Sequence, residues 1–132
     1  MIWAEFEEAA PEIARLGRER FVRAGVALLG TLRRDGSPRI SPVEPHFVSG
    51  HLLFAAMSWS VKARDLERDP RCVLHSAVSD PDGSEDEFKL FGRAGRVEDQ
   101  ELREGDREAW WVSRPPGSAR VFDLSIERGV VV

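Results

Sequence analysis

The sequence predicts a mainly β, α+β domain built on an antiparallel barrel, and three observations carry that reading. Six short runs of strand composition are separated by turn residues such as Asp35-Gly36 and Ser49-Gly50. Stretches with helical composition, near residues 11–21, 61–69 and 98–111, interrupt them. No regular strand-helix alternation runs through the chain, so a parallel doubly wound sheet is not expected. A chain of 132 residues supports one core, and residues 1–132 read as a single domain.

Pro11 and Glu12, followed by Ile13, Leu16 and Phe21 at near-helical spacing, predict one helix ending before Gly25, with Trp3 and Phe6 extending its apolar face. Val26 to Leu32 is apolar on both alternating faces, which predicts a strand buried in a barrel wall rather than half exposed. Asp35-Gly36 marks a tight hairpin. The returning strand, 38–45, contains Pro38, Pro42 and Pro45. Each lacks a backbone donor, so part of this strand belongs at an edge or an opening of the sheet. Ser49-Gly50 turns the chain into strand 52–56. Val61 to Asp69 then has helical composition, with Val61 and Leu66 as its buried candidates and Pro70 as its stop. Strand 72–78, a solvated hairpin loop at 79–86 and strand 88–97 follow. Glu98 to Trp111 reads as a charged helix starting near Asp99 whose ionic residues face solvent, with Leu102, Ala109 and Trp110 as its contacts. Arg114 to Ser118 is a turn, and Arg120 to Glu127 alternates as a strand with Phe122, Leu124 and Ile126 on one face.

A net charge of −4 provides no basic excess, so no nucleic-acid partner is expected. No apolar run approaches the ~18 residues of a membrane span, and the acidic N-terminus resembles no export signal. The single cysteine, Cys72, sits in an apolar run as a buried thiol, which together with the missing signal points to the cytoplasm. His46, His51 and His75 lack metal-ligand spacing and no cysteine pair accompanies them, so no metal site is expected. His75, inside an apolar strand, reads as a satisfied core histidine. Dinucleotide and nucleophile-elbow motifs are absent. Any chemistry is therefore a cofactor's, with the protein supplying position and electrostatics, and no catalytic side chain is assigned.

One segment carries a chemical signal. Where strand 52–56 hands over to the helix at Val61, Ser58 and Ser60 flank Trp59, and Lys62 follows. Amides at a helix start, two hydroxyls and one ammonium together make a site for a phosphate. The chain has 17 Arg but only two Lys, Lys62 and Lys89, which singles out Lys62. The plainer alternative is an exposed helix start. Trp59 either stacks on a ring system or fills an interface between subunits. Arg39 is either a solvated charge on an exposed strand face or a bidentate contact to a phosphate or a ring carbonyl.

Thr31 to Val43, Leu52-Leu-Phe54, Ser60-Val-Lys62 with Leu66 and Asp69-Pro-Arg71, then Gly92-Arg-Ala94, occur in an order that resembles the pyridoxamine 5'-phosphate oxidase-like split-barrel flavoproteins, which include deazaflavin-dependent reductases. The resemblance runs from about Trp3 to Val131. It implies a six- to seven-stranded antiparallel Greek-key split β-barrel with short flanking helices, and a homodimer with cofactor at its interface. The cofactor is then FMN or, alternatively, an 8-hydroxy-5-deazaflavin coenzyme, its phosphate on Ser60 and Lys62 and its ring against Arg39, Ile40, Ser41, Pro42 and Val43. The implied activity is a flavin- or deazaflavin-dependent oxidoreductase acting on a small conjugated substrate; the alternatives are a non-catalytic flavin- or haem-binding module and a member with no ligand. The chain ends at Val132 without the basic terminal segment of the true oxidases, so oxidation of pyridoxamine phosphate itself is not expected. The homodimer is also expected because Leu28, Ile40, Phe47 and the tryptophans leave apolar surface on so small a barrel.

Overall fold

The structure, a computed structural model, describes residues 1–109 and 119–132. Its N-terminal segment forms two helices rather than one, α1 (Trp3–Ala9) and α2 (Pro11–Ala24), broken at Ala10, whose backbone lies at φ −141°, ψ 68°. Pro11 explains the break. It has no N–H to give the preceding turn and its ring disfavours helical geometry in the residue before it, yet its fixed φ suits the first position of a new helix. Gly25 closes α2 at φ 72°, its N–H donating to the Phe21 carbonyl.

Among the described residues seven strands follow: β1 (Ala27–Leu32), β2 (Pro38–Val43), β3 (His46–Val48), β4 (His51–Ala56), β5 (Arg71–Ser76), β6 (Phe88–Arg96) and β7 (Arg120–Val131). Helix α3 (Val61–Arg68) joins β4 to β5, and α4 (Gln100–Ala109) follows β6. All pairings are antiparallel in the order β2-β1-β5-β6-β7-β4-β3, and the sheet curls into a half-barrel. The unexpected strand, β3, is three residues with no alternation to announce it; it pairs with β4 across the turn at Ser49 (φ 48°) and Gly50 (φ 81°). Only Glu44 and Pro45 separate β2, at one edge of the sheet, from β3, at the other.

The edge position of β2 agrees with its prolines. In an antiparallel strand the N–H and C=O of one residue point to the same side. The Pro42 carbonyl accepts from Lys62 Nζ at 3.0 Å rather than from β1, so residues 38, 40 and 42 turn their backbone groups away from β1. Ile40 supplies the one N–H on that side.

Inside the curl, Leu29, Phe54, Leu74, Leu90, Phe122 and Leu124 are fully buried, and α1 and α2 close the opening with Trp3, Phe6 and Phe21. Gly17 lets α2 approach: a Cβ there would lie 2.2 Å from the buried Phe88 ring. On the outer face, Leu53, Ala55, Val97 and Val121 form a second cluster against Leu102 of α4, whose Asp99 side chain caps the helix by accepting from the Leu102 N–H. No described helix covers the outer face of β1, so Leu28 is 38% exposed and the strand is half-buried, not sealed in a wall. The apolar surface expected to favour association is real at Leu28, Ile40 and Trp59, but not at Phe47 or Trp3. Trp3 is buried, and the Phe47 ring packs 4.7 Å from it and beneath the Arg18 guanidinium at 4.2 Å. Ala109 is exposed rather than a contact, while Trp110, Trp111 and the turn at 114–118 lie outside the described residues.

Candidate functional site

Helix α3 begins at Ser60, whose backbone is extended and whose Oγ accepts from the Ala63 N–H at 3.3 Å. This satisfies one helix-start amide and leaves the hydroxyl hydrogen to donate elsewhere. Two positions on, Lys62 is half-buried, and burial pushes its ammonium below the ordinary lysine range. Its hydrogen bond to Pro42 makes it a tie between α3 and the sheet edge, more than an exposed helix start. Ser58 is half-buried and Trp59 is 64% exposed. Val61, expected in the core, is 49% exposed, and the residues α3 buries are Ala63, Asp65 and Leu66.

Asp65 is the residue the sequence reading missed. Its carboxylate is buried and accepts from Thr31 Oγ1 at 2.8 Å, Arg39 Nε at 2.7 Å and Arg68 Nη2 at 3.0 Å. Burial alone raises a carboxyl pKa, but the bonds from Arg39, Thr31 and Arg68 outweigh it and hold Asp65 below the usual carboxylate range. Arg39 is therefore not a solvated charge. Its Nε is fixed on Asp65, which orients the rest of the guanidinium fork, and the side chain is 24% exposed. An aspartate between Ala63 and Leu66 on the apolar stripe of a short helix, with Arg68 one turn on, is the sequence signal that could have found this cluster.

Two cavities meet at Arg39. One, of about 480 Å³, lies between the β1–β2 loop and α3 and is lined by Arg33, Arg34, Asp35, Arg39, Val61, Arg64, Asp65 and Arg68. The other, of about 430 Å³, is a groove lined mainly by apolar groups, among them Gly30, Leu32, Pro38, Ile40, Val73 and Phe91. Along β2, Ile40 and Pro42 are exposed, Ser41 is half-buried and Val43 is buried in the core. Cys72 also borders the groove, where burial pushes its thiol up to about 12.

The histidines lie elsewhere. His46 Nδ1 is 3.0 Å from Asp106, which is fully buried within the helix expected to be a solvated ionic face, and its Nε2 is 3.1 Å from Glu44. Burial lowers the His46 pKa, but the bonds to Asp106 and Glu44 outweigh it and raise it overall. His51 Nδ1 meets Asp123 at 2.7 Å, and His75 Nδ1 meets the Ser76 carbonyl oxygen at 2.6 Å. Among the described residues no group of three His, Cys, Asp or Glu side chains is placed to hold a metal.

A family model described as pyridoxamine 5'-phosphate oxidase matches residues 16–131. None of the curated proteins matches. Solved structures share the fold. A conserved hypothetical protein, Rv2991, from Mycobacterium tuberculosis is 18% identical with a TM-score of 0.71, over 87% of this chain and 82% of that one. A haem-binding protein from Mycobacterium smegmatis is 23% identical with a TM-score of 0.70, over 89% of this chain but only 53% of that one. A Clostridium acetobutylicum protein related to general stress protein 26, of the pyridoxinephosphate oxidase family, is 15% identical with a TM-score of 0.67, over 89% and 86%.

Proposed function

The chain belongs to the pyridoxamine 5'-phosphate oxidase family, and on that premise we propose that it binds a flavin-type cofactor, FMN or an 8-hydroxy-5-deazaflavin coenzyme, and serves hydride transfer to or from a small conjugated substrate. The observation that carries this reading is the meeting of a cationic cleft and an apolar groove at Arg39. An amphiphile with a phosphate at one end and a planar ring at the other needs that combination.

The ring, when bound, supplies the redox chemistry. The chain's own residues supply position and charge. Ser60 and Lys62 hold the phosphate at the start of α3, on either side of Val61, which with Arg39 lines the cationic cleft; helix-end amides there favour an anion. Lys62 releases its bond to Pro42 or shares it. The ring then lies along β2 from Arg39 to Val43, with Ile40 as an apolar shelf and the Ile40 N–H as the one edge donor available to a ring acceptor. Ser58 and Trp59 border the phosphate turn, Trp59 offering an exposed aromatic face. A second copy of the chain, docking on the surface that exposes Leu28 and Ile40, completes the groove; the cytoplasm is the proposed location.

A second reading, a module that holds flavin or haem without turnover, is supported by the groove's chemistry. Two of the side chains that border it, Arg71 with its pKa raised by Asp69 and Cys72 with its thiol pushed up to about 12 by burial, do not exchange a proton near neutral pH.

Lys62→Ala with FMN and riboflavin as paired ligands tests the first reading. One charge-assisted bond contributes about 1.5–3 kcal/mol, so FMN affinity falls roughly 10- to 150-fold while riboflavin, without the phosphate, is unchanged. Equal losses, or none, refute the phosphate site. Reduction of bound cofactor that no acceptor reverses favours the second reading.

A further inference from the structure

His46 meets a carboxylate at each of its ring nitrogens, one from α4 and one from the link between the two edge strands of the sheet. Nδ1 is 3.0 Å from Asp106 Oδ1, and Nε2 is 3.1 Å from Glu44 Oε1. A carboxylate accepts and does not donate, so both nitrogens carry hydrogen and the ring is an imidazolium. Neutral imidazole has one N–H and keeps only one of the two bonds.

Burial decides which bond survives. Asp106 is 0% exposed, and its second oxygen, Oδ2, is buried without a hydrogen-bond partner among the described residues. Taking the N–H from Oδ1 as well would strand the whole carboxylate away from water. The Glu44 side chain is 19% exposed and lines a cavity of about 380 Å³ beside α2 and β3, with Arg18, Phe21, Phe47 and His46 itself, so water can reach its carboxylate. The neighbouring charges are engaged elsewhere. Arg18 lies over the Phe47 ring and pairs with Glu7 at 3.3 Å. On α4, Arg103 donates to the Val97 and Ala119 carbonyls and Arg107 pairs with Glu104, and on β4 the residue opposite His46 is Leu53.

We propose that His46 is a proton-operated clasp: protonated, it ties the β2–β3 link to α4, and on losing its proton it keeps Asp106 through Nδ1–H and releases Glu44. Glu44 and Pro45 alone separate the two edge strands, so this proton sets how firmly the edges of the half-barrel are tied together. Helix α4 stays docked, because Leu102 packs on the outer cluster and Gly105 lies so close to Val48 that a Cβ there would be 2.6 Å from it. Burial lowers the His46 pKa, but the bonds to Asp106 and Glu44 outweigh it, so the clasp is mainly closed at pH 6.5 and opens as pH rises through the higher native value. Its operation does not depend on a bound cofactor.

Nitrogen-15 NMR of the imidazole ring and amide hydrogen exchange, on the native chain and on His46→Gln between about pH 5 and pH 10, test it. Native His46 shows both nitrogens protonated at the acid end and the Nδ1–H tautomer at the alkaline end. After correction for the intrinsic pH dependence of exchange, the amides of β3 exchange about tenfold faster once the ring is neutral, the lower end of what one charge-assisted bond contributes, and those of α4 change less than about twofold. His46→Gln shows no such step in β3. A ring already neutral at about pH 6, an Nε2–H tautomer above the transition, equal loosening of α4, no loosening of β3, or a step that persists in His46→Gln overturns the proposal. The ring spectrum is read on the native chain, so the test stands even where the variant fails to fold.

Discussion

Replacing Asp65 by asparagine keeps the shape of the side chain and removes the charge on which three elements converge. In the native chain, Thr31 from β1, Arg39 from β2 and Arg68 from α3 donate to one carboxylate that is 2% exposed. Breaking a buried ion pair by removing one partner costs about 3–5 kcal/mol. Arg39 and Arg68 are 24% and 31% exposed and regain some hydration, so the lower end, about 3 kcal/mol, is expected. With an unfolding entropy of about 2.1 cal/mol/K per residue, a chain of 132 residues loses roughly 3.6 °C per kcal/mol, which gives a drop in Tm of about 10 °C. The pH dependence gives a second check. Asp65 is held below its ordinary value of 3.8, so its contribution is present above that pH and is lost as pH falls through the lower native value. Urea denaturation of both proteins from pH 7 down to pH 3 should show a gap that narrows only at the acid end. A gap under about 1 kcal/mol at pH 7, or one that does not change with acid, would mean that Asp65 does not anchor the arginines.

Four further outcomes are expected. Gly17→Ala gains about 1 kcal/mol of helix propensity but drives a Cβ into the buried Phe88 ring, so thermal unfolding should show a net loss of about 1–2 kcal/mol. Lys62→Ala, besides its effect on FMN, should cost about 0.5–1.5 kcal/mol of stability without ligand, because it removes the bond to the Pro42 carbonyl. The His46 pKa is raised above 6.5, so the stability it contributes is present below that pH and lost as pH rises through the higher native value. The difference between the native chain and His46→Gln in denaturant should therefore shrink between pH 6.5 and pH 9. Cys72, with its thiol pushed up to about 12, should resist a disulfide reagent at pH 8 in the folded protein and react readily in urea.

What could be read from the sequence was local. The Ser49-Gly50 turn, the edge assigned to β2 by its prolines, the start of α3 at Val61 and the stop before Pro70 all depend on neighbouring residues, and all are present. Pro11 marks a helix start in the sequence, while its second effect, the break it imposes on the helix before it, shows in the backbone of Ala10. The larger misses share one physical cause. Asp65 lies 34 residues from Thr31 and 26 from Arg39, and Asp106 lies 60 from His46. A charged residue in a helix reads as solvent-facing until its partners from distant strands are known. Half exposure of β1 was hidden for a related reason, since which outer face α4 covers depends on tertiary packing.

The prolines of β2 also decide how this molecule can meet others of its kind. An uncovered sheet edge invites a further strand, and repeated addition leads to fibres. Here the outward side of β2 presents an N–H only at Ile40, between Pro38 and Pro42, while the opposite edge, β3, is three residues long. Neither margin can template a ladder. The dimer proposed above instead uses the outer surface around the exposed Leu28 and Ile40, where a two-fold contact closes on itself and growth stops at two.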